Sequence, residues 1–229
     1  MNNGWKPLPP QPDVKAALDE FASWGAVVEH YLFVAPAPVD ICAHQLAEQS
    51  GLNTLMDQCI FQGWAGAEED VSKLTPERAR PMTLLQFFGE HFDFSDQNRL
   101  VHFPHPPFPS IDEVKNNAHL SSEEVSPFYE DYEFTSGYAY ALLDPPYGLN
   151  RRTAWWRRKQ PLLPLEIGTA FLRLCDALFG ARETLQIYDW PTDCSNYFEP
   201  GHEWWGSFFW TVYSPSKNWI VTIIASTTD

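Results

Sequence analysis

Apolar residues recur every three or four positions in DVKAALDEFASWG, at Val14, Ala17, Leu18, Phe21 and Trp24, a spacing that predicts a helix stopped by Gly25. The next run, AVVEHYLFV, reads as a short strand ended by Pro36 and Pro38, because proline offers no backbone donor to a ladder. Asp40 then predicts the N-cap of a helix through ICAHQLAEQ, closed by Gly51, with a separate short helical piece in NTLMDQCIFQ. Gly63, Gly66 and the acids Glu68, Glu69 and Asp70 mark a loop, after which Thr83 caps a helix through LLQFFGEHF. Ser110 with Glu113 and Ser121 with Glu124 match the capping box, and the first opens a short helix, IDEVKNNAHL. Just before it, VHFPHPPFPS carries too many prolines for regular structure and reads as an extended connector.

The pattern changes towards the carboxyl side. LPLEIGTAFLRLCDALFG places Leu165, Ala170, Phe171, Leu174, Leu178 and Phe179 at helical spacing, with Gly180 just past the last turn. Three strand-like runs follow, ETLQIYDW, WWGSFFWTVY and WIVTIIAS, the last two joined by the turn Ser-Pro-Ser-Lys-Asn. Consecutive strands, as opposed to strands alternating with helices, predict an α+β fold: short helices in the N-terminal half and a C-terminal helix packed on an antiparallel meander of about three or more strands. Residues 1–12, with Pro7, Pro9, Pro10 and Pro12, read as a proline-rich lead-in arm, and 13–229 as a single α+β domain with a subdivision near 104–109 left open. No repeat of about 20 to 50 residues is visible.

Composition narrows the function classes. Apolar residues make up 44% of the 229, enough for a folded core, and 30 acidic against 15 basic residues leave a formal charge of -15. Such a charge repels nucleic acid and anionic lipid and attracts a cationic partner. No apolar run approaches the roughly 18 residues of a membrane span, and MNNGWKPLPPQPD lacks the basic and apolar regions of a secretory signal, so a soluble cytoplasmic protein is expected. Cys42, Cys59, Cys175 and Cys194 form no CxxC pair and read as reduced, mostly buried thiols, with Cys194, in a polar stretch, the expected exception.

Charge is unevenly distributed. Arg151, Arg152, Arg157, Arg158 and Lys159 flank Trp155 and Trp156, a composition suited to an internal electrostatic latch or a protein contact. In the opposite sense, Asp112, Glu113, Glu123, Glu124, Glu130, Asp131 and Glu133 alternate with Phe128, Tyr129, Tyr132 and Phe134. Acids among aromatics can pair with a basic ligand while removing its water, which makes Glu123, Glu124, Tyr129, Glu130, Asp131, Tyr132, Glu133, Trp155 and Trp156 the candidate partner-binding residues.

Motifs for chemistry are sparse. Asp144-Pro145-Pro146-Tyr147 resembles the catalytic tetrapeptide of adenine methyltransferases, in which an apolar strand such as Tyr140–Leu143 would deliver it to the target amine. The chain has no Gly-x-Gly to approach the methyl-donor cofactor, so DPPYG reads as a prolyl turn in which Gly148 takes positive φ. His102 and His105 have HxxH spacing, but the prolines around them oppose the helix a metal pair needs; His202-Glu203 begins like a zincin motif without its second histidine. No metal and no cofactor is expected. Asp193, Cys194, Glu199, His202 and Glu203 gather in the loop 189–203 and are the candidate acid, base or nucleophile set of a hydrolase-type enzyme.

The stretch EWWGSFFWTVYSPSKNWIVTIIASTTD, preceded by IYDWPTDCSNYF, resembles a segment of bacterial proteins of unassigned function. At the level of class, a small acidic chain rich in aromatics and without a catalytic signature is similar to cytoplasmic immunity proteins, and that resemblance implies neutralisation of a cognate toxin by covering its active or substrate surface. Many antibacterial toxins act on nucleic acids and are basic, so an acidic inhibitor meets them with long-range attraction. A protein-binding inhibitor is therefore the leading reading, the 189–203 hydrolase the second, and a structural or scaffold protein the third.

Overall fold

The computed structural model describes residues 5–89, 92–93, 99–100, 137–151, 160–162 and 164–226. They belong to two compact units, one assembled from the segments up to Pro12, Val27–Thr83 and Leu178 onward, the other from Asp13–Ala26 and Leu84–Ala177.

The first unit is organised by a five-stranded antiparallel sheet. Its strands are β1 (Val28–Val34), β2 (Arg80–Pro81), β7 (Gln186–Asp189), β8 (Ser207–Ser214) and β9 (Trp219–Ser226), ordered β1-β9-β8-β7-β2. The three strands expected in the C-terminal third are present as a meander, so the fold is α+β as the sequence predicts. Asn218 closes the β8–β9 hairpin at φ 57, a conformation Asn tolerates, and donates its N–H to Ser214 O at 2.8 Å. β9 is buried along its whole length, which explains why WIVTIIAS is apolar on both faces, broken only by Thr222 and ended by Ser226, and does not alternate.

Helix α2 (Ile41–Phe61) packs on β8 and β9. Asp40 caps it as expected, its Oδ1 accepting from Ala43 N at 2.9 Å. The helix does not close at Gly51. It runs through the glycine and absorbs the piece predicted as separate. The reason is space: a Cβ on Gly51 would lie 2.7 Å from Thr222 Cγ2, so glycine here permits close approach of helix and strand. Thr222 Oγ1 donates to Ala47 O at 2.9 Å across the same contact. Around it Phe33, Leu52, Leu55, Phe198, Phe209, Ile220 and Ile224 form the core. The proline-bearing arm is tied to β1 by Leu8 N–H donating to Leu32 O at 2.7 Å.

The second unit contains α1 (Pro12–Trp24, which enters it at Asp13), α3 (Leu84–Phe88), α4 (Gly137–Leu143), most of α5 (Pro164–Phe179) and the two-stranded pairs β3–β4 (Phe92–Asp93, Arg99–Leu100) and β5–β6 (Asn150–Arg151, Gln160–Pro161). The predicted face of α1 is inside, with Val14, Ala17, Phe21 and Trp24 buried. Phe87 stacks on Tyr138 at 5.3 Å, and Tyr138 meets Phe171 at 5.9 Å. Residues 140–143 lie in α4, so the strand that a methyltransferase reading would need is replaced by a helix. DPPYG is the expected turn, Gly148 at φ 66 donating to Pro145 O at 2.8 Å.

All four cysteines are free. The expectation for Cys194 is corrected: it is 1% exposed, packed in the core with its thiol donating to Pro191 O at 3.3 Å, and Cys42 is the exposed one. Among the described residues no helix is long and apolar enough to cross a membrane. The two capping-box segments, the HFPHPPF connector, Glu123, Glu124, Tyr129, Glu130, Asp131, Tyr132, Glu133, Trp155 and Trp156 lie outside the described residues, as does most of the basic cluster.

Candidate functional site

In the first unit two loops far apart in sequence are laced together. Asn196 donates from Nδ2 to Gly66 O at 2.7 Å and accepts at Oδ1 from Glu68 N at 2.9 Å, using both ends of its amide. Ser195 Oγ donates to Glu68 O at 2.7 Å, and Asp70 N–H to Cys194 O at 2.6 Å. The short helix α6 (Glu199–Glu203) completes the wall, where His202 Nε2 and Thr192 Oγ1 share a hydrogen bond of 2.7 Å. Between these elements opens a cleft of about 400 Å³, lined by Glu68, Glu69, Asp70, Lys73, Thr192, Asp193, Cys194, Ser195, Asn196, Glu199 and His202.

Five of these side chains are carboxylic acids and one is a lysine. Asp193 is engaged by Arg78, whose Nη2 lies 2.9 and 3.0 Å from its two carboxylate oxygens, and Lys73 Nζ donates to Asp193 O at 2.8 Å. Glu68, Glu69, Asp70 and Glu199 therefore dominate the field. Burial first, and the Asp57 charge second, push the Glu69 carboxyl above its ordinary value, so it ionises less readily than an isolated glutamate. Asp70 moves the other way, chiefly because the Ser72 hydroxyl donates to its carboxylate at 2.5 Å. The cleft attracts a cationic group and offers several acceptors to it.

Of the predicted catalytic set, Asp193, Cys194, Glu199 and His202 meet in this cleft, whereas Glu203 is not among its lining residues. Proximity does not make them a nucleophile and base. Burial, then the neighbouring Glu48, pushes the Cys194 thiol up to about 12, which leaves it protonated at neutral pH and inert as a nucleophile. His202 bonds to Thr192, and among the described residues no carboxylate hydrogen-bonds its ring to set a tautomer. Nor do described His, Cys, Asp and Glu side chains form a group of three or more placed to hold a metal ion.

Beneath the cleft α2 buries two titratable groups. His44 Nδ1 and Trp190 Nε1 both hydrogen-bond Thr211 Oγ1, each at 2.8 Å, and burial lowers the His44 pKa to about 4. Glu48, one turn on, is 0% exposed, and among the described residues neither carboxyl oxygen has a hydrogen-bond partner; burial raises its pKa well above the ordinary value and favours the neutral acid.

The residues that sequence reasoning missed are Glu68, Glu69 and Asp70, which it placed in a loop, and Lys73, Thr192 and Asn196, for which it had no role. The acidic run and the 189–203 loop were each visible; their pairing was not, because the two are joined by tertiary hydrogen bonds. No protein-family model, curated protein or solved structure matches the chain.

Proposed function

We propose that the protein is a protein-binding inhibitor of the immunity type, which neutralises a basic bacterial toxin by masking its active or substrate-binding surface, and that the acidic cleft is where it receives the partner's cationic side chains. The observation that carries this reading is the clustering of Glu68, Glu69, Asp70 and Glu199 around one solvent-open concavity, with Lys73 the single lysine lining it among the described residues. Like charges held together cost self-repulsion, which a lysine or arginine entering the cleft relieves. The overall charge of -15 adds attraction at longer range.

The test is to immobilise the protein, challenge it with lysate of its source cells at low and high salt, and identify what is retained. One basic protein, bound stoichiometrically and captured more slowly as salt rises, is expected, with its association slowed about tenfold or more in Glu68→Gln/Glu69→Gln/Glu199→Gln. Retention unaffected by the triple variant, or no retained protein, overturns the reading. The hydrolase alternative keeps one observation, the Thr192–His202 pair; it requires that Thr192→Val abolish a measurable hydrolysis.

A further inference from the structure

Helix α2 ends with its residue classes inverted. Ile60 is 53% and Phe61 92% exposed, although the same helix buries His44 and Glu48. Exposed apolar residues are ordinary singly, but here Ile60, Phe61 and Trp64 follow one another across a single capped turn. That turn is held: Gln62 N–H donates to Gln58 O at 2.9 Å, Trp64 N–H to Cys59 O at 2.9 Å, and Ala67 N–H to Trp64 O at 3.2 Å. The Trp64 indole lies against Gly66, and Gly66 O accepts from Asn196 of the cleft wall. The apolar tip is thus continuous with the rim of the acidic cleft.

We infer that the tip and the cleft form one docking face for a basic protein, in which Phe61 and Trp64 enter an apolar depression of the partner while an arginine or lysine beside that depression enters the cleft. The inference rests on the inhibitor reading of the cleft and adds to it the second element of recognition. Charge complementarity selects the occupant: a second copy of this chain would bring another charge of -15 against the same carboxylates, whereas a basic partner gains at both places. Large aromatic anchors next to paired charge are the composition of interface hot spots. Because the backbone of the turn is fixed by its own hydrogen bonds, little backbone freedom is lost when Phe61 is covered.

Two synthetic peptides of equal positive charge test this, one carrying a Leu-Leu-Trp segment beside its arginines and one with serines in those places, each titrated calorimetrically into the full chain. The apolar peptide should bind about tenfold tighter or more, and Phe61→Ser/Trp64→Ser should erase that preference, bringing the two peptides to equal affinity. Equal affinity of the two peptides for the unmodified protein, or a preference that survives in the double variant, overturns the role of the tip and leaves the cleft reading standing. If neither peptide binds, or binding ignores Glu68→Gln/Glu69→Gln/Glu199→Gln, the cleft reading fails and takes this one with it. Sedimentation showing a dimer that Phe61→Ser dissociates would identify a second copy as the occupant and also overturn the proposal.

Discussion

The two ends of α2 invert the usual assignment of residues in opposite senses. Its first turns bury His44 and Glu48 against the sheet, and its last turn exposes Ile60 and Phe61 to solvent. An amphipathic helix would do the reverse at both ends, so the two departures ask different questions. The buried end is costly for folding: the Glu48 carboxyl, without a hydrogen-bond partner among the described residues, loses its water and regains little. The exposed end costs folding almost nothing, since Phe61 packs against little, and its apolar surface is free for association. Stability should therefore respond to changes at the first end and ignore changes at the second, while binding does the opposite.

The largest effect is expected in the core between these ends. Leu52 is fully buried between α2 and the sheet, so Leu52→Ala should cost about 2–5 kcal/mol in denaturant unfolding; a loss below about 1 kcal/mol would mean that the helix is not packed as described. Next comes Glu48→Leu, which should stabilise by about 1–3 kcal/mol at about pH 8. Its signature is pH dependence. The folded-state pKa of Glu48 is raised, so its contribution is fully present below the unfolded value of 4.5 and is lost as pH rises from there towards the folded value. The gain from Glu48→Leu should accordingly shrink towards about pH 4, and a gain equal at both pH values would show that Glu48 is solvated. His44 has the opposite slope, its lowered pKa making stability fall as pH drops from 6.5 through about 4, and that slope should remain in the variant.

Gly51→Ala sets two smaller effects against each other. Helix propensity favours alanine by roughly 0.5–1 kcal/mol, and crowding against Thr222 opposes it by roughly 1–3 kcal/mol, so a net loss of about 1 kcal/mol is expected. A net gain would mean that the helix can move away from β9. Smallest is Phe61→Ser, whose unfolding free energy should stay within about 0.5 kcal/mol of the parent while peptide binding falls; destabilisation comparable to Leu52→Ala would erase the contrast between the two ends.

Much of the fold could be read from local chemistry. The alternation of turn residues with apolar runs located β7, β8 and β9, the Asp40 side chain located the start of α2, and the prolines and glycine of DPPYG located a turn. The errors share one cause, which is that burial depends on what a residue meets and not on its own class. Gly51 looked like a helix stop because its contact with Thr222 lies 171 residues further along the chain. Cys194 looked exposed because its neighbours in sequence are polar, whereas its neighbours in space are core side chains. The cleft was half legible for the same reason: 189–203 was singled out as a site, but Glu68, Glu69 and Asp70 join it through Asn196 and Ser195, a pairing that no local pattern encodes.

The strand order carries a consequence for synthesis. β9 lies between β1 and β8, so β1 has no partner in the sheet until residues 219–226 have been made. A growing chain holds β1 without its sheet partner and α2 with only part of the surface it packs on, and closing that loop of nearly two hundred residues is a late event with an entropic cost. Both loops of the cleft depend on the same sheet. A ribosome-bound chain that stops before Trp219 should therefore be sensitive to protease throughout Val28–Phe61, and protection should appear abruptly once β9 emerges from the exit tunnel.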